Sequence, residues 1–276
     1  MSRSISRPLQ LLTVARYELL KYLRGKRMLA ATIFSIAIPL LILALPLVVG
    51  LEYPNEVSDF SLQFVGFLDI LIIIGATFFG SDALVSEFQQ KTGYALFPNP
   101  ITRTCILFGK YLASSIATLT IIGIFYTIVG IASYAIYGVI PVELLYSLSF
   151  ATLYTLTILA LAFFISSILK GTTGTSILTF LLFFLIFPII DLVLTLAEVK
   201  PWFSPTFATG IMSSILISPY PSDVIIDIPA FFVGGGENIS IANYIPEVNL
   251  SIGILLLYMM FGLLFSLVLF MRREMT

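Results

Sequence analysis

The sequence contains no histidine and one cysteine, Cys105, in 276 residues. Without histidine the chain lacks the usual base at neutral pH and the commonest metal ligand. With a single cysteine it can form neither an internal disulfide nor a cysteine ligand cluster. Charge is also scarce. Only 11% of residues are Asp, Glu, Lys or Arg, against about 25% in an ordinary soluble domain. The phosphate loop G-x-x-x-x-G-K-[ST] does not occur. Gly109-Lys110 is followed by Tyr111, and Gly234-Gly235-Gly236 has no Lys after it. G-x-S-x-G, H-E-x-x-H and C-x-x-C are missing as well. These absences exclude a nucleotide site in this chain, a Ser-His hydrolase and a zinc centre. An aspartyl dyad from Asp69 and Asp191 would need the two carboxyls at one depth, and they are expected at different depths.

What is abundant is apolar sequence. Hydrophobic residues make up 59% of the chain. A helix needs about 20 apolar residues to cross the hydrocarbon core. Six segments qualify: about Met28–Gly50, Phe60–Gly80, Ile106–Ala135, Leu144–Leu169, Ser176–Leu196 and Leu250–Met271. The expected fold is all-α, a polytopic membrane protein with six transmembrane helices. The first run is too long for the apolar core of a signal peptide, which spans roughly 7–15 residues.

The few charges are sorted. All but one of the fourteen Lys and Arg residues fall before the first run, in the even-numbered breaks or in the tail; Lys200 is the exception. Short loops rich in Lys and Arg stay in the cytoplasm. Both termini and the even breaks are therefore expected inside, in the plasma membrane. Glu52, Glu56, Asp59, Glu143, Glu198, Asp223, Asp227, Glu237 and Glu247 fall on the other side. The net charge of -1 thus conceals one basic face and one acidic face. Lipid is the expected environment, and no nucleic-acid partner is expected.

One membrane domain accounts for residues 1–276. Residues 1–27 are expected to form an interfacial helix. Leu12, Ala15, Leu19, Tyr22 and Leu23 recur at helical spacing, with Thr13, Arg16, Tyr17, Lys21 and Arg24 opposite. A basic amphipathic helix of this kind lies in the plane of the membrane surface. The break at 81–105 is the longest cytoplasmic one. Residues 82–96 can form a short amphipathic helix, and Pro98 and Pro100 then impose a stop. Glu87 and Lys91 lie four apart and can pair. The external loop, 198–249, is expected to hold short helices packed on the outer mouth.

Asp69 is the sharpest single residue. A central Asp costs about 2.5–3.5 kcal/mol of insertion energy, which its Leu, Ile and Phe neighbours offset. It should face protein or a watery cavity, as a pathway-lining group or as a structural hydrogen-bond donor or acceptor. Phe78, Phe79, Phe183 and Phe187 could form an apolar plug in a pathway. Ala31 with Ser35, and Gly262 with Ser266, are small pairs that permit close helix packing.

Glu87, Thr92-Gly93, Leu96, Pro100, Arg103, Ile106, Gly109-Lys110 and Ala113 follow one another in a pattern. The stretch resembles the cytoplasmic loop of type 2 ABC exporter permeases, with the usual Gly-Thr pair inverted to Thr92-Gly93. The layout of six spans, interfacial N-terminal helix and large external connection before the sixth span is similar over nearly the whole chain. The resemblance implies the membrane subunit of an ATP-driven exporter rather than an enzyme. It implies a dimer with a second copy or a close paralogue, and docking of separate ATPase subunits that carry the ATP and Mg. It assigns Glu87, Lys91, Gly93, Pro100, Arg103 and Lys110 to ATPase coupling. The chain itself would hold no cofactor. Two other readings stand beside it. One is an ion- or proton-coupled secondary transporter with Asp69 and Asp191 as ion sites, which would usually show paired interrupted spans; no matched interruption is visible in the sequence. The other is a non-transporting membrane scaffold.

Overall fold

The computed structural model describes residues 7–89, 101–228 and 239–273. Among these, six helices are long and apolar enough to cross a membrane: Lys26–Val49, Val57–Phe79, Arg103–Tyr137, Glu143–Ile168, Thr172–Leu196 and Val248–Arg272. They coincide with the six apolar runs of the sequence. Lipid offers no hydrogen bonds, so each spanning backbone must satisfy its own N–H and C=O groups, which a helix does. The protein is an all-α, multi-pass membrane protein.

Helix α1, Arg7–Leu23, precedes the first span α2, Lys26–Val49. The second span consists of α3, Val57–Val65, and α4, Leu68–Phe79. After it comes the short α5, Val85–Gln89. The third and fourth spans are α6, Arg103–Tyr137, and α7, Glu143–Ile168. The fifth combines α8, Thr172–Leu181, a π-helical turn, Leu182–Ile186, and α9, Phe187–Leu196. A further short helix, α10, spans Gly210–Ser214, and the sixth span is α11, Val248–Arg272.

Punctuation follows local chemistry. Gly50 and Gly138 end the first and third spans in the left-handed region, φ 78° and 74°, where a Cβ would be strained. Thr102 opens the third span by accepting a hydrogen bond from the Cys105 N–H at 3.3 Å. With 35 residues that helix is roughly 50 Å long at 1.5 Å per residue, so it projects beyond a hydrocarbon core of about 30 Å.

The third and fourth spans form the centre of the bundle, with Phe125, Tyr154, Ile158 and Leu159 buried. The small pairs seen in the sequence acquire partners here. The Ser35 hydroxyl donates to the Ile121 carbonyl at 2.6 Å, joining the first span to the third. Gly262 faces the backbone of Ala160 and Leu161, joining the sixth to the fourth. The outward sides of the first, fifth and sixth spans are lined by exposed apolar residues such as Leu41, Leu192 and Leu257.

Three details depart from expectation. First, α1 does not rest on lipid alone. It buries Ala15, Glu18 and Tyr22 against the protein, while Leu12 and Leu23 are exposed. The inward line is the one that meets the third span, and it includes an acid because a buried Lys lies opposite. Second, among the described residues the segment before the sixth span is helical at 207–214. Val224–Ile228 and Ile239–Asn243 then pair as an antiparallel two-stranded sheet, Val224 opposite Asn243. Third, two spans are interrupted. At Gly66–Phe67 the ladder tightens, with the Phe67 N–H bonded to the Phe64 carbonyl at 3.0 Å. In the fifth span the Phe187 N–H reaches back five residues to the Leu182 carbonyl.

Candidate functional site

A dense polar construction lies where the second and third spans meet α1, at the end of the bundle where the sixth span finishes. Lys110, 1% exposed, enters from the first turns of the third span. Its Nζ lies 2.6 Å from Glu87 Oε1 on α5 and 3.3 Å from Glu18 Oε2 on α1. Lys21 meets Glu18 from the opposite side at 2.8 Å. Among the described residues two acids thus face two bases. Burial alone would push the Glu18 carboxyl up, but Lys110 and Lys21 outweigh it and hold the group below its ordinary value. Next to this cluster the Tyr22 hydroxyl donates to the Phe79 carbonyl at 3.0 Å and meets the Ser114 hydroxyl at 3.1 Å. Burial, and after it the Glu18 charge, raises the Tyr22 phenol well above its usual range. Arg27 pairs with Asp82 at the mouth of the same region.

Close approach of α1 depends on Gly109. A Cβ there would stand 2.8 Å from Val14 Cβ and 2.9 Å from the Leu11 carbonyl oxygen. Gly109 therefore admits α1, and Lys110 beside it engages the Glu that α1 brings.

Helix α5 is tied on several sides. The Ser166 hydroxyl of the fourth span accepts from the N–H groups of Leu84 and Val85, both at 3.1 Å. Gln89 Oε1 accepts from the Thr172 N–H at the start of the fifth span at 2.7 Å. The Phe88 ring packs edge-on against Phe270 of the sixth span, 5.8 Å between centroids. It also carries the Arg273 guanidinium 4.2 Å from its centroid. Arg103 completes the arrangement, donating from one guanidinium nitrogen to the carbonyls of Phe270, Met271 and Arg273 at 3.0, 2.9 and 2.9 Å.

Of the residues expected to couple, Glu87 and Lys110 form one ion pair, and Arg103 holds the end of the sixth span. All three are turned into the protein. The sequence suggested Lys91 as a companion for Glu87. Lys91, Gly93 and Pro100 lie outside the described residues. Of the expected pathway residues, Phe183 is buried and stacked on Phe187, with centroids 5.8 Å apart. Phe79 instead packs edge-on against Tyr22, 5.1 Å away, beside Phe78. Among the described residues no ring contact joins the two pairs. Asp69 sits in the first turn of α4, and its Oδ1 is buried without a hydrogen-bond partner.

Sequence reasoning missed Glu18, Ser166 and Arg273. Glu18 had a usable signal. It falls three residues from Ala15 and four from Tyr22, on the inward line, and Lys110 in an apolar run required an acid from elsewhere. Ser166 carried none.

The family model described as ABC-2 family transporter protein matches residues 12–275. The chain belongs to that family, whose members are the membrane components of ABC transporters and work with ABC ATPase subunits. A search of curated proteins gives no match to the chain.

Proposed function

We propose that this chain is the permease subunit of an ABC exporter, two copies or two close paralogues forming the pathway, each docked to a separate ATPase. The termini and the 81–105 segment lie in the cytoplasm, and transport runs outward across the plasma membrane. The observation that carries this reading is the tethering of α5. One short helix next to the membrane is linked by ion pair, hydrogen bond or ring contact to the third, fourth, fifth and sixth spans, and through Lys110 to α1. A push on α5 from below cannot be absorbed locally and must tilt the spans. Glu87, Lys110 and Arg103 act as positioning groups inside the lever, and Lys91, Gly93 and Pro100 belong to the segment that meets the ATPase.

The test is co-expression with an ABC ATPase from the same genome. A tagged permease should retain the ATPase, and ATP turnover should appear only in the complex. Replacing residues 85–101 by a Gly-Ser linker should abolish retention. Nucleotide hydrolysis by the purified chain alone, or undiminished retention by the linker variant, would overturn the assignment.

A further inference from the structure

Two carboxyl groups lie inside the spans with no cation to meet them. Asp69 stands just after the interruption in the second span, and Asp191 lies in α9, just after the π-helical turn of the fifth. Among the described residues neither forms an ion pair. Asp69 Oδ1 and Asp191 Oδ1 are both buried without a hydrogen-bond partner. The other Asp191 oxygen accepts from the Thr206 hydroxyl at 2.5 Å, and Thr206 meets the Ser204 hydroxyl at 2.9 Å.

Tyr154 is 1% exposed and shares the apolar core with Leu68, the neighbour of Asp69, and with Phe183; both carboxyls act on it electrostatically. Its hydroxyl nevertheless makes no hydrogen bond of normal geometry. One phenol has a single proton and cannot satisfy two carboxylates.

Among the described residues, Lys110 and Lys200 are both engaged elsewhere. Lys110 is committed to Glu18 and Glu87 at the other end. Lys200 is committed to Asp223 at 2.9 Å and reaches Glu247 at 3.8 Å. An uncompensated carboxylate within a span is expensive, and such residues characteristically serve a pathway. Aromatic surface lies on the same helical line. Phe183, Phe187 and Asp191 recur at four-residue spacing, and the first two rings stack. Carboxylate together with aromatic face is the chemistry that recognises an organic cation. π-turns inside helices recur at functional sites, and interrupted spans place ligands near the middle of the membrane.

We propose that Asp69, Tyr154 and Asp191, with the Phe183–Phe187 stack, bind the positively charged head of a lipophilic organic cation. The proposal rests on the transport reading above and names its substrate class.

Tetraphenylphosphonium and tetraphenylborate have nearly the same shape and opposite charge, which separates recognition from partitioning. The full chain in lipid nanodiscs is titrated with each. Trp202, the single tryptophan, lies two residues from Ser204 and serves as the fluorescent reporter. The expected result is a saturable response to tetraphenylphosphonium and none to tetraphenylborate. Asp69→Asn with Asp191→Asn should weaken binding at least tenfold, and Tyr154→Phe several-fold, with unchanged elution and melting of the variants. Equal responses to the two ions would mean apolar partitioning and overturn the proposal. So would an unchanged affinity in the double variant, or a saturable response to sodium with none to tetraphenylphosphonium. Binding is read without an ATPase. Loss of ATPase retention with intact binding would therefore sink the coupling reading and leave this site standing.

Discussion

Lys110 and Glu87 form an ion pair of 2.6 Å inside the protein, one from the third span and the other from the short helix after the second. Neither is on a surface that a partner could touch, since Glu87 is 6% exposed and Lys110 less. An exposed pair contributes little to stability and is screened by salt. A buried one behaves differently, because removing one member strands the other. The pair therefore fixes α5 against the third span more firmly than its stability value alone suggests.

Lys110→Met should destabilise the protein by about 3–5 kcal/mol, the usual cost of orphaning a buried charge. Here Glu87 loses its ion pair with Lys110, while Glu18 keeps Lys21. Adding Glu18→Gln and Glu87→Gln should recover most of the loss, because the triple variant no longer buries an uncompensated charge. Unfolding in detergent, followed by helical signal, gives the comparison. A single variant as stable as the parent would show that the cluster is solvated in the membrane.

Glu18 makes stability depend on acid. Its carboxyl is held below the ordinary value of 4.5, so the folded state binds its proton less readily than the unfolded state does. That contribution is complete above the ordinary value and is lost as pH falls through the lower, folded value. Melting temperature should therefore decline below about pH 4.5, and the decline should be shallower in Glu18→Gln. Parallel profiles for the two proteins would remove Glu18 from the account.

The spans were legible because their signal is long: some twenty apolar residues bounded by charge leave little room for another structure. The orientation of α1 was legible only in part. Its periodicity showed two faces, but Leu12 and Leu23 suit lipid as well as Ala15 and Tyr22 suit protein, and Glu18 reads as solvent-facing until Lys110 is seen opposite it. The interruptions were invisible for a different reason. Leu182–Ile186 is uniformly apolar, and an added residue in the helical ladder changes neither composition nor length. Gly66 was a faint hint. The pairing of Val224–Ile228 with Ile239–Asn243 suits the local Val and Ile residues, which favour strand, but nothing in the sequence announced that the two segments meet.

Arg103 should control the end of the sixth span. It gathers three carbonyls that have no helical partner beyond them. Arg103→Ala releases them, at about 1.5–3 kcal/mol for hydrogen bonds to a charged donor. Amide exchange over residues 269–273 should accelerate at least tenfold, while exchange in the third and fourth spans stays near its original rate. Arg103→Lys should restore part of the protection. Unaltered exchange at 269–273 would show that Arg273 and Phe88 suffice to hold this end.

Gly262 and Gly253 lie on the same span and should respond in opposite ways to one methyl group. A Cβ on Gly262 would stand 2.7 Å from the Ala160 carbonyl carbon and 2.8 Å from its oxygen. Those are backbone atoms of the fourth span and cannot turn aside as a side chain could. The sixth span must shift, and Gly262→Ala should cost about 1–3 kcal/mol, the range for overpacking. A Cβ on Gly253 meets nothing within 4 Å. Alanine there gains helix propensity without a clash, so Gly253→Ala should be neutral or more stable by up to about 1 kcal/mol. Melting of the two variants beside the parent decides the matter. Equal losses at both positions would mean that glycine serves flexibility along this helix and not the contact with Ala160.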